Sequence, residues 1–134
     1  MMKGQVHQDF RINGTPCADS EQVRALKPLF DNETAVFLEH WFSESEKIKV
    51  MTSGSTGNPK EIELGKTEML ASARATGKFF GLFAGTRALL CLPTKYIAGK
   101  MMLVRAMVLG WELDIVEPVS NPLKELKSNY DLAA

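Results

Sequence analysis

Carboxylates are missing where this chain is richest in glycine and hydroxyl groups: no Asp or Glu occurs from Met51 to Lys60, the stretch MTSGSTGNPK. Other absences narrow the possibilities further. The two cysteines, Cys17 and Cys91, lie far apart and outside any CxxC pair. They read as thiols of a reducing compartment, with a single disulfide as the alternative. His7 and His40 have no ligand partner at helical or hairpin spacing, which argues against a metal site built from side chains, so none is expected. Net charge is also absent. Sixteen Lys and Arg balance sixteen Asp and Glu, so the basic footprint of a general nucleic-acid or membrane-surface binder is missing. The start, MMKGQVHQDF, has no apolar core of signal-peptide length, and Arg105 interrupts the longest apolar helix candidate. No membrane span is expected, and the expected compartment is the cytoplasm. At 134 residues the chain has room for one domain, 1–134, with its own core.

Strand-like and helix-like segments alternate along the chain. Asn13-Gly14 after a short alternating run predicts a small hairpin. Ser20 is placed to cap a helix ending near Lys27, before Pro28, and Asn32 or Thr34 opens a second helix that leaves Glu39 and His40 toward water. Ile48 to Met51 and Glu61 to Leu64 alternate like strands on either side of the glycine-hydroxyl loop. A helix is predicted from Thr67 to Phe80, closed by Gly81, and another from Ala98 to Leu109, closed by Gly110. Thr86 to Leu92 and Trp111 to Val116 read as strands, each ended by a proline nearby. The order predicts an α/β fold, a layered sheet with helices on its faces, parallel in its second half. The methionines of the last helix read as core.

The loop admits two readings. Thr52, Ser53, Ser55 and Thr56 around Gly54 and Gly57 can turn backbone N–H groups and hydroxyls inward on a phosphate, with Lys60 adding a charge at the rim. A flexible Gly-Ser connector has the same composition. Two other loops fail on spacing. The Walker pattern needs a second glycine followed directly by lysine and a helix, whereas Pro59 and a strand flank Lys60. A serine elbow needs G-x-S-x-G, and no histidine follows this loop to act as base.

At Thr52-Ser53-Gly54-Ser55-Thr56-Gly57-Asn58-Pro59-Lys60 the sequence resembles the phosphate-loop signature of the adenylate-forming enzymes, which include acyl-CoA synthetases, peptide-synthetase adenylation domains and luciferases. Leu92-Pro93-Thr94-Lys95-Tyr96-Ile97-Ala98-Gly99, followed by Leu103 to Ala106 and Gly110, is similar to a second segment in the version found in o-succinylbenzoate-CoA ligases of menaquinone synthesis. The family usually has histidine at the position of Tyr96, and Thr94 and Lys95 depart from it as well. The resemblance covers an N-terminal piece. The family's adenine pocket, acidic residues for metal and ribose, and C-terminal domain with the adenylation lysine have no counterpart motif here.

What the resemblance implies is an ATP-dependent acid-CoA ligase. ATP, Mg2+ and coenzyme A would be its ligands and a small carboxylic acid its substrate. Thr52, Ser53, Gly54, Ser55, Thr56, Gly57 and Lys60 would hold the β- and γ-phosphates; Tyr96, Gly99 and Arg105 would line the acid site. No residue of the segment is assigned a catalytic role. Lys60 has a plainer reading as a solvated strand-edge lysine. Arg105, in a helix apolar nearly all round, calls for a carboxylate partner: either a structural Asp or Glu, or a dicarboxylate substrate such as o-succinylbenzoate. Another acyl or aryl acid is the near alternative. A different class of function is a non-catalytic module that binds nucleotide or associates with itself, and the isolated segment is expected to be inactive. The loop is expected to be mobile until an anion binds, and the chain is expected to expose apolar surface near Asn129-Tyr130-Asp131.

Overall fold

A computed structural model describes residues 5–26, 30–52, 57–116 and 131–133. The chain opens on the predicted hairpin. β1 (Arg11–Ile12) and β2 (Thr15–Pro16) pair antiparallel around Asn13 and Gly14, whose φ values of 49° and 82° are both positive, as a tight two-residue hairpin turn requires. Asn13 also ties the hairpin to a distant strand, since its Oδ1 accepts from the N–H of Ile115 at 2.8 Å. Pro16 lies in the edge strand, where its missing N–H leaves no ladder bond unmade.

Two helices follow; the first is capped one residue earlier than the sequence suggests, whereas the second opens at Asn32, one of the two expected positions. α1 (Ser20–Leu26) begins after Asp19, whose Oδ1 accepts from Gln22 N at 2.8 Å, so Ser20 is not the cap. α2 (Asn32–Phe42) is capped by Asp31, which accepts from Thr34 N at 2.7 Å. A carboxylate does this as well as a hydroxyl and also complements the helix dipole. Thr34, Ala35, Phe37, Leu38 and Trp41 turn inward, while Glu39 and His40 stay exposed as expected.

β3 (Lys47–Thr52) and β4 (Lys60–Gly65) form an antiparallel hairpin that is a separate two-stranded sheet. β3 alternates as predicted, with Ile48 and Val50 buried and Lys47 and Lys49 exposed. β4 does not bury its apolar positions in the same way, and Ile62 is 38 % exposed. α3 (Lys66–Phe80) starts directly after β4. Its cap position is Gly65, with no side-chain bond, so Thr67 is a first-turn residue and not the cap.

The main sheet has the order β2-β1-β6-β5-β7, with β5 at Arg87–Leu90, β6 at Glu112–Ile115 and β7 at Leu132–Ala133. β6 runs parallel to both β1 and β5, and β7 runs parallel to β5. Parallel pairing therefore extends through the second half, with β2 as an antiparallel edge. Ala88, Leu89 and Leu90 are all buried, the continuous pattern of a strand covered on both faces. α4 (Ile97–Leu109) lies against β5 and β3, and α3 lies against α4 and β4. Both helices end on a left-handed glycine, Gly81 and Gly110. At Gly77 a Cβ would come within 2.6 Å of Leu109 Cδ2, so glycine there is what lets α3 and α4 approach.

The core gathers Trp41, Trp111, Phe10 and Phe37 with the methionines Met101, Met102 and Met107. Both indole N–H groups are answered, Trp41 by Gln5 O and Trp111 by Leu82 O, each at 3.1 Å. His7 is structural: its Nδ1 accepts from Asp9 N, and its ring packs over Gly110. Cys17 and Cys91 are thiols. Cys17 is fully buried, and burial, helped by Asp19, pushes its thiol up to about 11. Because the unfolded thiol ionises first, Cys17 favours folding below its ordinary value and loses that contribution as pH rises toward about 11. The stability gap between the wild-type chain and Cys17→Ala, followed by urea denaturation, should therefore narrow from pH 9.0 upward.

Candidate functional site

The glycine-hydroxyl loop sits at the open end of the β3–β4 hairpin. The register runs from Lys47 opposite Gly65 to Thr52 opposite Lys60, so two of the expected phosphate-binding residues face each other where the strands part. Thr52 Oγ1 donates to the Lys60 carbonyl at 3.4 Å, a long bond that closes the loop base. Gly57 has φ 138°, a conformation that a side chain would strain. Lys60 is exposed. Lys49 and Glu61, also exposed, approach to 4.0 Å, and such a surface pair adds about 0–1 kcal/mol. Ser53, Gly54, Ser55 and Thr56 lie outside the described residues, and so does the expected mobility of the loop.

The second segment meets this hairpin. After β5 the chain runs through Pro93, Thr94 and Lys95 to Tyr96, the cap residue of α4, in extended geometry at φ −101° and ψ 161°. Tyr96 pairs with Met51 as an isolated parallel bridge. Met51 is the residue before Thr52, so the backbone of the expected acid segment touches β3 one residue short of the loop base.

Three further contacts hold the Pro93 to Tyr96 turn, and sequence reasoning missed all of them. Thr94 is buried and its hydroxyl meets that of Thr34, on α2, at 2.7 Å. Lys100, also buried, donates from Nζ to Thr94 O at 2.6 Å and to Lys95 O at 3.0 Å. Gly99 lies under Pro93, where a Cβ would stand 2.2 Å from the Pro93 carbonyl oxygen. The signals were present: a hydroxyl on the apolar face of α2 and a lysine in the first turn of an apolar helix.

Arg105 stands apart from this junction. At about 1.5 Å of rise per residue it lies roughly 13 Å along α4 from Tyr96, so a ligand reaching both must lie along the helix. Burial lowers its pKa, and no carboxylate offsets this among the described residues. Its Nε is buried and has no hydrogen-bond partner among them. The structural Asp or Glu considered from sequence is therefore not found in the described part of the chain. No group of three metal-ligating side chains occurs among the described residues, and no helix there is long and apolar enough to cross a membrane.

Comparison with solved structures places this geometry. An acyl-CoA synthetase (AMP-forming)/AMP-acid ligase II-like protein from Dyadobacter fermentans superposes with a TM-score of 0.71 at 42 % identity, over 81 % of this chain and 33 % of its own. The chain belongs with the adenylate-forming superfamily. This superfamily segment spans about a third of that relative's length. A double mutant of o-succinylbenzoate CoA synthetase from Bacillus subtilis, bound with its product analogue, also matches, with TM-score 0.46 and 26 % identity over 54 % of this chain and 15 % of its own. No family model and no curated protein matches the chain. Among the described glycines of this segment, Gly99 has the sharpest steric requirement. Gly99→Ala should destabilise the chain by about 2–3 kcal/mol through overpacking against a main-chain carbonyl, read as a lower urea midpoint with an unchanged slope.

Proposed function

We propose that this chain is the phosphate-loop part of an ATP-dependent acid-CoA ligase, acting on o-succinylbenzoate in menaquinone synthesis. The observation that carries the ligase reading is the Met51–Tyr96 bridge, because it sets the segment proposed for the acid beside the loop proposed for the phosphates. The o-succinylbenzoate assignment is supported by the Leu92 to Gly99 segment, with Tyr96 where the family usually has histidine; another aryl or acyl acid is the alternative.

In this reading Thr52, Ser53, Gly54, Ser55, Thr56 and Gly57 present N–H and hydroxyl donors to the β- and γ-phosphates, and Lys60 supplies a point charge at the rim. Mg2+ would arrive with ATP and would offset charge on its phosphates. The acid carboxylate attacks the α-phosphorus, the bond to pyrophosphate breaks, and an acyl-adenylate forms. The thiol of coenzyme A then displaces AMP. Negative charge grows on the departing pyrophosphate, and a preorganised donor there is worth roughly 3 kcal/mol in a site closed to water. Tyr96 and Gly99 shape the wall on which the acid lies. Arg105, with its unpartnered Nε, holds the carboxylate that is not activated.

The test is acid-dependent exchange of pyrophosphate into ATP. The reading frame that encodes this chain, expressed in full, should exchange with o-succinylbenzoate, whereas residues 1–134 alone should not. Replacing Ser55 and Thr56 together by alanine should lower kcat by about 100-fold or more with little change in KM for the acid. An undiminished rate would leave the loop as a connector.

A second reading, a self-associating module, is favoured by one observation. Phe79, Phe80 and Phe83 are 82 %, 66 % and 60 % exposed, an apolar cluster of the kind that promotes association. Light scattering of residues 1–134 should then show a concentration-dependent mass that Phe79→Ser with Phe80→Ser abolishes; a strict monomer removes this reading.

A further inference from the structure

Lys100 belongs to neither motif set that the proposed chemistry uses, yet its side chain is hydrogen-bonded to the backbone of the acid segment. Its own N–H donates to Tyr96 O at 3.1 Å. Its ammonium donates to Thr94 O at 2.6 Å and Lys95 O at 3.0 Å. The first of these is the ordinary first-turn bond of the helix, so two successive carbonyls of the turn end on the side chain. The side chain is enclosed as well: the residue is 7 % exposed, and Nζ lies 5.7 Å from the centroid of the Phe37 ring on α2.

This placement is unfavourable for the helix that carries it. A cation in the first turn meets the positive end of the helix dipole, and α4 has no acidic residue in that turn to offset it. Burial adds a desolvation cost that pushes the lysine below its ordinary pKa, with Glu33 and Asp31 partly opposing the shift. A residue that breaks two local rules at once points to a task outside the helix. The two carbonyl oxygens identify that task, since a backbone turn without regular pairing is held in place by whatever answers its polar groups. The Thr34–Thr94 hydroxyl pair and the Gly99–Pro93 approach restrain the same turn from α2 and α4.

We propose that Lys100 is a positioning residue, whose ammonium, by holding the carbonyls of Thr94 and Lys95, keeps the neighbouring Tyr96 in register with Met51, so that the acid segment and the phosphate loop meet as one site. Its geometric part stands on these contacts alone; its catalytic consequence rests on the ligase reading.

Two measurements separate the two parts. In residues 1–134, Lys100→Met should speed amide hydrogen exchange across residues 94–98 about tenfold more than across β5, after correction for global stability. In the full reading frame the same variant should raise KM for the acid about tenfold and leave KM for ATP within about twofold, a split that simple loss of folded enzyme does not produce. If Lys100→Met does not fold, Lys100→Gln, which retains an N–H donor of shorter reach, carries both comparisons under the same criteria. Uniform acceleration of exchange overturns the proposal, and so does an equal rise in both KM values. A reading frame that shows no acid-dependent exchange in wild type removes the ligase reading instead, while the amide exchange still decides the role of Lys100.

Discussion

The structure depends on covering α4. Gly99, Lys100, Met101, Met102, Leu103, Val104, Ala106 and Met107 are all buried in it, and a helix apolar nearly all round must be enclosed on nearly every side. β5, β3 and α3 supply the cover, with Gly77 letting α3 come close. Each large side chain so enclosed contributes about 1.5–3 kcal/mol, far more than the exposed Lys49–Glu61 pair. Since β3 is one of the covers, the end of the hairpin comes to rest beside Tyr96, the cap residue of α4. The meeting of the two signature segments is thus a by-product of burying a helix.

Much of this was legible in the chain itself. Asn13-Gly14, the helices ended by Gly81 and Gly110, the buried run at Ala88 to Leu90 and the hairpin around the loop follow from local rules that act within a few residues. The cap of α1 was misplaced because Asp19 competes with the adjacent Ser20 hydroxyl, and only geometry decides which oxygen reaches the free N–H groups. The candidate site was legible as two separate motifs, but the contact between them was not. Met51 and Tyr96 are joined by tertiary packing, and nothing near either residue announces the other. Thr94 looked like a departure from the family pattern; its partner Thr34 lies in another helix, which no local reading reaches. Arg105 was marked as needing a carboxylate partner, and the described residues do not contain one.

Two buried lysines serve the hairpin from opposite ends. Lys66, at the start of α3, donates from Nζ to Ser43 O at 2.7 Å and from its backbone to Glu46 O at 2.8 Å, fixing the base where β3 begins and β4 ends. Lys100 acts at the far end, on the turn that meets Met51. Both are desolvated, both are lowered in pKa for that reason, and both are answered by main-chain oxygens. Neutral carbonyls accept each ammonium's hydrogen bonds directly, and for Lys100 the charges of Glu33 and Asp31 add to them.

The separation of the β3–β4 ribbon from the five-stranded sheet has a mechanical consequence. Among the described residues no ladder of hydrogen bonds runs from the ribbon into that sheet, so a bend or twist of the ribbon is not transmitted strand by strand. The ribbon can act as a spring leaf clamped at its root by Lys66 and touched near its tip by Tyr96. Work done on the ribbon would then reach the packing around Trp41 and Trp111 through the side chains of Ile48 and Val50, which share that core, and not through shared strands.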